Sequence, residues 1–168
     1  MSNSTPKTLD QDTLKHVFVH NLNRIYFGKC YLNNHLEHLK SLASFTALQQ
    51  GIQEFWDDIK KQIARMEQVY KLLNEIPSDK NCNPIKSIVK DEFCLDEEQA
   101  IPVLLDMDII MYLQLLEHIN ITSCHMLIMV AAQLEYTEAQ QLLTECKDES
   151  IDNDELFTLI TKEYIAVG

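Results

Sequence analysis

Apolar residues recur at alternating spacings of three and four along most of this chain. One row runs Phe18, Leu22, Ile25, Leu32, Leu36 and Leu39, and a second runs Leu48, Ile52, Trp56, Ile59, Ile63, Met66, Tyr70 and Leu73. That period draws one apolar stripe along a helix and none along a strand. Only three glycines and four prolines punctuate 168 residues, and good helix formers fill the rest. The pattern predicts an all-α domain, long enough to bury a sizeable core. One slot breaks the first row. Between Ile25 and Leu32 the period expects a core side chain, and the sequence has Lys29.

The segments between the rows predict the organisation. Residues 1–8 are polar and read as a disordered tail, leaving residues 9–168 as a single helical bundle domain. Asp10 or Asp12 caps a first helix that runs to Leu42, and Ser44 caps a second that ends near Glu75. So short a connection makes those two antiparallel neighbours. The loop from Ile76 to Pro84 leads to a short helix over 85–93. Acidic residues 96–98 and Pro102 open a third long helix to about Leu134, Pro102 suiting the first helical position. This helix is apolar on more than one side, which predicts burial on several sides or a place in a dimer face. A fourth begins near Thr137, and its middle, Asp148 to Asp154, is poor in helix formers and predicts a kink or break. Four long helices with a crossover over 76–101 describe a ferritin-like four-helix bundle, with a short extra helix between helices two and three.

The formal net charge of −12 opposes nucleic acid and anionic membrane surfaces, which are polyanions. Five scattered cysteines (30, 82, 94, 124 and 146) form no Cys-x-x-Cys pair, and no apolar signal core stands at the N-terminus. Both point to reduced thiols in a cytoplasm, with Cys124 as a small core residue. The unbroken apolar run Met126–Ala132 is far shorter than the ~20 residues that cross a bilayer. His16 and His20, and His35 and His38, stand at helical spacing but in no metal-binding motif, so solvent exposure is expected. His118 diverges from Glu117 round the helix and is expected to bond a neighbouring helix. Cys124-His125 lacks a third orienting group for nucleophilic chemistry. The acidic run 147–155 lacks the glycine of a calcium loop.

Leu116-Glu117-His118-Ile119-Asn120-Ile121-Thr122-Ser123, then Ala132-Gln133-Leu134-Glu135-Tyr136, then Ala139-Gln140-Gln141-Leu142-Leu143-Thr144-Glu145 resemble the YciE/YciF-type ferritin-like stress proteins of bacteria. The family pattern there is an apolar residue before Glu-His, a later Leu-Gly-Tyr, then Ala-x-x-Leu-Leu and a Glu-rich turn. Asn81-Cys82-Asn83 resembles the family's Lys-Cys crossover segment, and the likeness spans residues 14–165. The resemblance implies a ferritin-like bundle whose carboxylate-rich interior can hold two metal ions. Carried over, the family's helix-one glutamate matches Lys29, its Glu-x-x-His matches Asp57 and Lys60, and its helix-three glutamates match Glu117 and Asn120. Its helix-four glutamate matches Glu149, and its turn glycine matches Glu135.

No intact Glu-x-x-His remains in the chain. An ammonium repels cations, so the expectation is a lost dimetal site and no cofactor. In its place, Lys29 and Lys60 would pair with Asp57, Glu117 and Glu149, because unpaired buried carboxylates cost several kcal/mol each. The plainer alternative for Lys29 is a stem along the bundle with its head in solvent. The expected function is that of a non-enzymatic, stress-associated protein acting as a homodimer or binding scaffold, its protein partner unidentified. The alternative is a di-iron or di-manganese oxidoreductase or ferroxidase built from Asp57, Asp58, Glu117, Glu149 and one histidine. A helical adaptor with a groove for a partner helix is a third class.

Overall fold

The computed structural model describes residues 8–90, 95 and 101–166. Its helices are α1 (Gln11–Asn33), α2 (Leu36–Leu42), α3 (Thr46–Leu73), α4 (Pro84–Lys90), α5 (Pro102–Gln133) and α6 (Thr137–Ile165). The expected tail up to residue 7, the end of the short helix beyond residue 90, acidic residues 96–98 and Cys94 lie outside the described residues.

Cross-helix contacts set the directions. Tyr26 bonds Glu67, Lys29 bonds Gln62 and Asn33 bonds Trp56, so α1 and α3 run antiparallel. Gly51 lies under Ile160 while Arg65 reaches Glu145, so α3 and α6 are antiparallel too. α5 turns back into α6 and meets it from Asp106–Tyr164 to Gln114–Asp154. α3 and α5 therefore run parallel, which only a long crossover can connect. That is the connectivity of a ferritin-like bundle.

The expected first helix divides at Asn34–His35. Two asparagines are poor helix formers, and Trp56 draws Asn33 into a hydrogen bond of 2.8 Å. The apolar row survives the break, since Leu32, Leu36 and Leu39 are all buried. Ser44 is not the cap of α3. Phe45 holds that place without a side-chain bond. The missing acceptor comes from α5: buried Asp106 accepts from Ser44 N (2.8 Å), Ser44 Oγ (2.6 Å), Phe45 N (3.1 Å) and Tyr164 Oη (2.7 Å). One carboxylate thus ties α5, α6 and the α2–α3 connection together at one end of the bundle.

Midway along the bundle, at the residue before Lys29, α4 closes on α1 at Gly28. A Cβ there would lie 2.9 Å from both Asn83 Oδ1 and Ile85 Cβ, so only glycine permits the approach. Asn83 caps α4 through Ile85 N and Lys86 N and donates its amide to Arg24 O. α5 ends in a left-handed turn at Glu135, φ 59°. Tyr136 N reaches Ala131 O (2.9 Å) and Glu135 N reaches Ala132 O (3.3 Å), the two bonds of a Schellman motif. The turn expected of glycine is kept with glutamate in it, at about 1–2 kcal/mol of backbone strain.

α6 is continuous where a kink is expected. Two residues of its polar middle, Ser150 and Asn153, face inward: Ala139, Leu143, Cys146, Ser150, Asn153, Phe157 and Ile160 form one buried row at spacings of four and three. α5 is long and apolar enough to cross a membrane by length and composition, which the short unbroken run at 126–132 conceals. In the fold it buries Ile109, Leu113, Leu116, Leu127 and Ala131 in the core, together with the polar side chains of Asp106, Glu117 and Asn120.

Candidate functional site

Halfway along the bundle, each long helix places one polar side chain at the same level: Lys29 from α1, Gln62 from α3, Glu117 from α5 and Ser150 from α6. All four are 0% exposed. Lys29 sits there because its slot in the α1 row is a core slot, flanked by buried Ile25 and Leu32. Its head does not escape to solvent. The ammonium donates to Gln62 Oε1 at 2.6 Å. Asn120, one turn along α5, donates to Glu117 Oε1 at 2.6 Å. Asn153 is buried one turn along α6, and Arg65, one turn along α3, stands half-buried at the edge.

The layer is charged but sparsely paired. Burial is the largest influence on Glu117 and pushes its pKa up to about 7. Lys29 opposes that shift through space, and Asn120 and Ser150 oppose it by hydrogen bonding. The Ser150 hydroxyl lies beside the carboxylate without completing a well-formed bond, for both Ser150 Oγ and Glu117 Oε2 lack a partner. Gln62 Nε2, Asn120 Oδ1 and Asn153 Nδ2 lack partners too. Two thiols flank the layer. Burial pushes Cys124 up to about 12 and Cys146 up to about 11, so both remain protonated and unreactive at neutral pH.

Lys29, Glu117 and Asn120 stand in this one layer, with Lys29 bonded to Gln62 and not directly to a carboxylate. Asp57, Lys60 and Glu149 do not join them. Asp57 and Lys60 pair with each other at 3.1 Å on the outer face of α3, where Lys60 also lies over the Trp56 ring. Asp58 pairs with Lys61 at 2.8 Å. Glu149 is bound to Arg65 at 2.7 Å, and Glu145 shares that guanidinium at 2.9 Å. The correction is one of register. The inward row of α3 passes through Phe55, Ile59, Gln62 and Met66, whereas the apolar pattern alone favours Trp56 and Ile63. Gln62, Arg65, Ser150 and Asn153 are therefore missed. Their signal was spacing: Gln62 stands three after Ile59 and four before Met66, and Ser150 and Asn153 continue the row of Cys146 and Phe157.

The histidines stay apart from the layer. His16, His20, His38 and His125 are exposed, while half-buried His35 bonds Tyr31 O through Nδ1 at 2.7 Å. His118 approaches Asp154 of the neighbouring α6 at 3.5 Å, an ion-pair distance and not the hydrogen bond expected of it.

The frame is informative as geometry. Ferritin-like dimetal bundles take one glutamate from each of two helices and a Glu-x-x-His from each of the other two. Here α1 and α5 offer Lys29 and Glu117, α3 offers Gln62-x-x-Arg65 and α6 offers Ser150-x-x-Asn153. An ammonium, two amides, a guanidinium and a hydroxyl leave a single carboxylate. Those groups do not fit two hard cations, which need several anionic oxygens. Among the described residues no three His, Cys, Asp or Glu side chains converge.

A model of the DUF892 family, a domain of unknown function, matches residues 13–166. The chain belongs to the DUF892 family. Two solved structures resemble this DUF892 member over nearly its whole length. YcfI of Rhodopseudomonas palustris, described as a candidate structural protein, superposes with a TM-score of 0.81 at 25% identity, covering 94% of this chain and 98% of its own. The Escherichia coli stress protein YciF superposes with a TM-score of 0.81 at 26% identity, covering 88% of this chain and 93% of its own. Among curated proteins, none matches the chain.

The buried carboxylate sets a pH dependence. Because the folded pKa of Glu117 lies above the ordinary value, the folded chain holds the proton more tightly than the unfolded one. Stability from this group is complete below about pH 4.5 and is lost as pH rises through about 7. The loss is on the order of 3 kcal/mol. Urea unfolding at pH 4 and pH 8 should show it, and Glu117→Gln should flatten the difference by that amount.

Proposed function

We propose that this chain is a non-enzymatic, stress-associated helical bundle protein of the cytoplasm. In it, Lys29 has taken over the compensating charge of a dimetal centre, and the molecule acts as a homodimer. One observation carries the reading: a fully buried ammonium occupies the α1 position of the dimetal frame and bonds the amide at the first α3 position. The frame is thus kept in shape and filled with groups that repel or ignore metal. A rearranged di-iron or di-manganese site has less support, because Asp57, Asp58 and Glu149 are held by Lys60, Lys61 and Arg65. The description of YciF as a stress protein supports the biological setting. Free thiols at Cys30, Cys82, Cys124 and Cys146 suit a reducing compartment.

The homodimer rests on α5. Leu104, Met111, Leu115 and Met129 are 44%, 53%, 45% and 52% exposed. The exposed residues of this helix include no Asp, Glu, Lys or Arg. Two copies of a chain with net charge −12 repel over most of their surface, and this apolar stripe, in which half-buried Asp108 stands between Leu104 and Met111, is where they can approach.

Elemental analysis after loading with ferrous iron or manganese and desalting tests the central part. The unmutated chain should retain neither at stoichiometric levels, and one or two tightly held ions per chain would refute the reading. Lys29→Glu/Gln62→Glu/Arg65→His/Ser150→Glu/Asn153→His, once shown helical by circular dichroism, should gain about two ions. Sedimentation should give a dimer that Leu115→Glu converts to a monomer of unchanged helicity. A monomeric unmutated chain would remove the dimer from the account.

A further inference from the structure

The polar layer has more hydrogen-bonding capacity than its own atoms use. The Lys29 ammonium has three N–H donors and makes one bond, to Gln62. Gln62 Nε2 and Asn153 Nδ2 are donors without acceptors. Glu117 Oε2 and Asn120 Oδ1 are acceptors without donors, and Ser150 Oγ has neither. These five are the only unpartnered buried side-chain atoms among the described residues, and all belong to this layer and the turns beside it. Their concentration in one place is not the scatter of imperfect packing. Each unmet buried group costs about 1–3 kcal/mol. Besides Ser150 and Glu117, which stand side by side, the other three would together cost about 3–9 kcal/mol, a large share of the 5–15 kcal/mol stability of an ordinary domain.

The chemistry of the open atoms selects what can meet them. A metal cation would face an ammonium and two amide N–H groups. An anion would face a carboxylate and an amide oxygen. The ligand must both accept from Lys29, Gln62 and Asn153 and donate to Glu117 and Asn120. Water does this, making about three bonds in a buried polar site.

We propose that this layer is a binding site for ordered water, with at least one molecule bridging the Lys29 ammonium to the Glu117 carboxylate. The proposal rests on reading the layer as a filled dimetal frame and says what completes the filling. Ser150 lies opposite Glu117, and α5 and α6 are antiparallel, so Asn120 and Asn153 lie on opposite sides of the carboxylate along the bundle. Water on either side can satisfy one amide each. The bridge also accounts for two charges in one layer without a direct ion pair, because water carries the contact between them.

A crystal structure of the unmutated protein at about 1.5 Å tests this, grown once from ordinary solution and once after a bromide soak, with data at the iron, manganese and bromine edges. The expected result is a density peak without anomalous signal, within hydrogen-bond distance of at least three of the six residues Lys29, Gln62, Glu117, Asn120, Ser150 and Asn153. If those atoms pair with one another around a dry centre, the water site is refuted and the metal-free reading stands. An anomalous bromide peak would make the ligand an anion and also refutes it. An iron or manganese peak overturns both readings. Magnetic relaxation dispersion in solution should lose at least one long-lived water per molecule on going to Lys29→Met/Gln62→Leu/Glu117→Leu. A chain of this length holds about six buried waters by general experience, so this difference decides the matter and the total does not. An unchanged count refutes the bridge.

Discussion

The fold is organised around a buried ammonium. Lys29 lies at the centre of a four-helix bundle, fully removed from solvent, with its head on Gln62. Desolvating such a group costs several kcal/mol, which the chain recovers only if other helices supply polar partners at the same level. α3, α5 and α6 each do so, through Gln62, Glu117 and Ser150. The register of all four helices is therefore coupled to one side chain. Shifting α3 by a single residue would replace the Gln62 amide with Ile63 or exposed Lys61. Buried polar groups of this sort add little to stability compared with apolar packing, yet they can define which packing is correct.

One end of the bundle and the crossover use the same logic with different groups. Asp106 gathers four donors from the α2–α3 connection and Tyr164, so the α3 terminus is capped by a distant helix. Asn83 caps α4 and holds the α1 backbone at Arg24. One end, the crossover and the centre are pinned by buried polar contacts between helices. The apolar rows between them supply the driving force.

Much of this was legible in the sequence, and the part that was not has a physical cause. Alternating spacings of three and four revealed the long helices, and Lys29 stood out because it is the one polar residue in an apolar row. Glu117 and Asn120 stood out through the motif around them. Gln62 stayed hidden because Ile63 beside it is apolar and drew the row one position aside. Ser150 and Asn153 stayed hidden because the polar segment around them reads as solvated, and these two side chains alone of its polar residues turn to a polar interior. Asp57 and Lys60 fit the family spacing as a string, but the face they share is the outer one. A linear pattern tells which residues share a side of a helix. It does not tell which side is the inside when that inside is itself polar.

The claim that Lys29 and Glu117 depend on each other is tested most directly by a double-mutant cycle in urea at pH 7 with Lys29→Met, Glu117→Gln and the pair. The account predicts a loss of about 3–5 kcal/mol for Lys29→Met alone, as for breaking a buried charge pair. It also predicts that the double variant is more stable than the sum of the single losses allows, by at least about 1 kcal/mol of coupling. Losses that add to within about 0.5 kcal/mol would show that the two groups stand in the same layer without acting on one another, and would contradict the account.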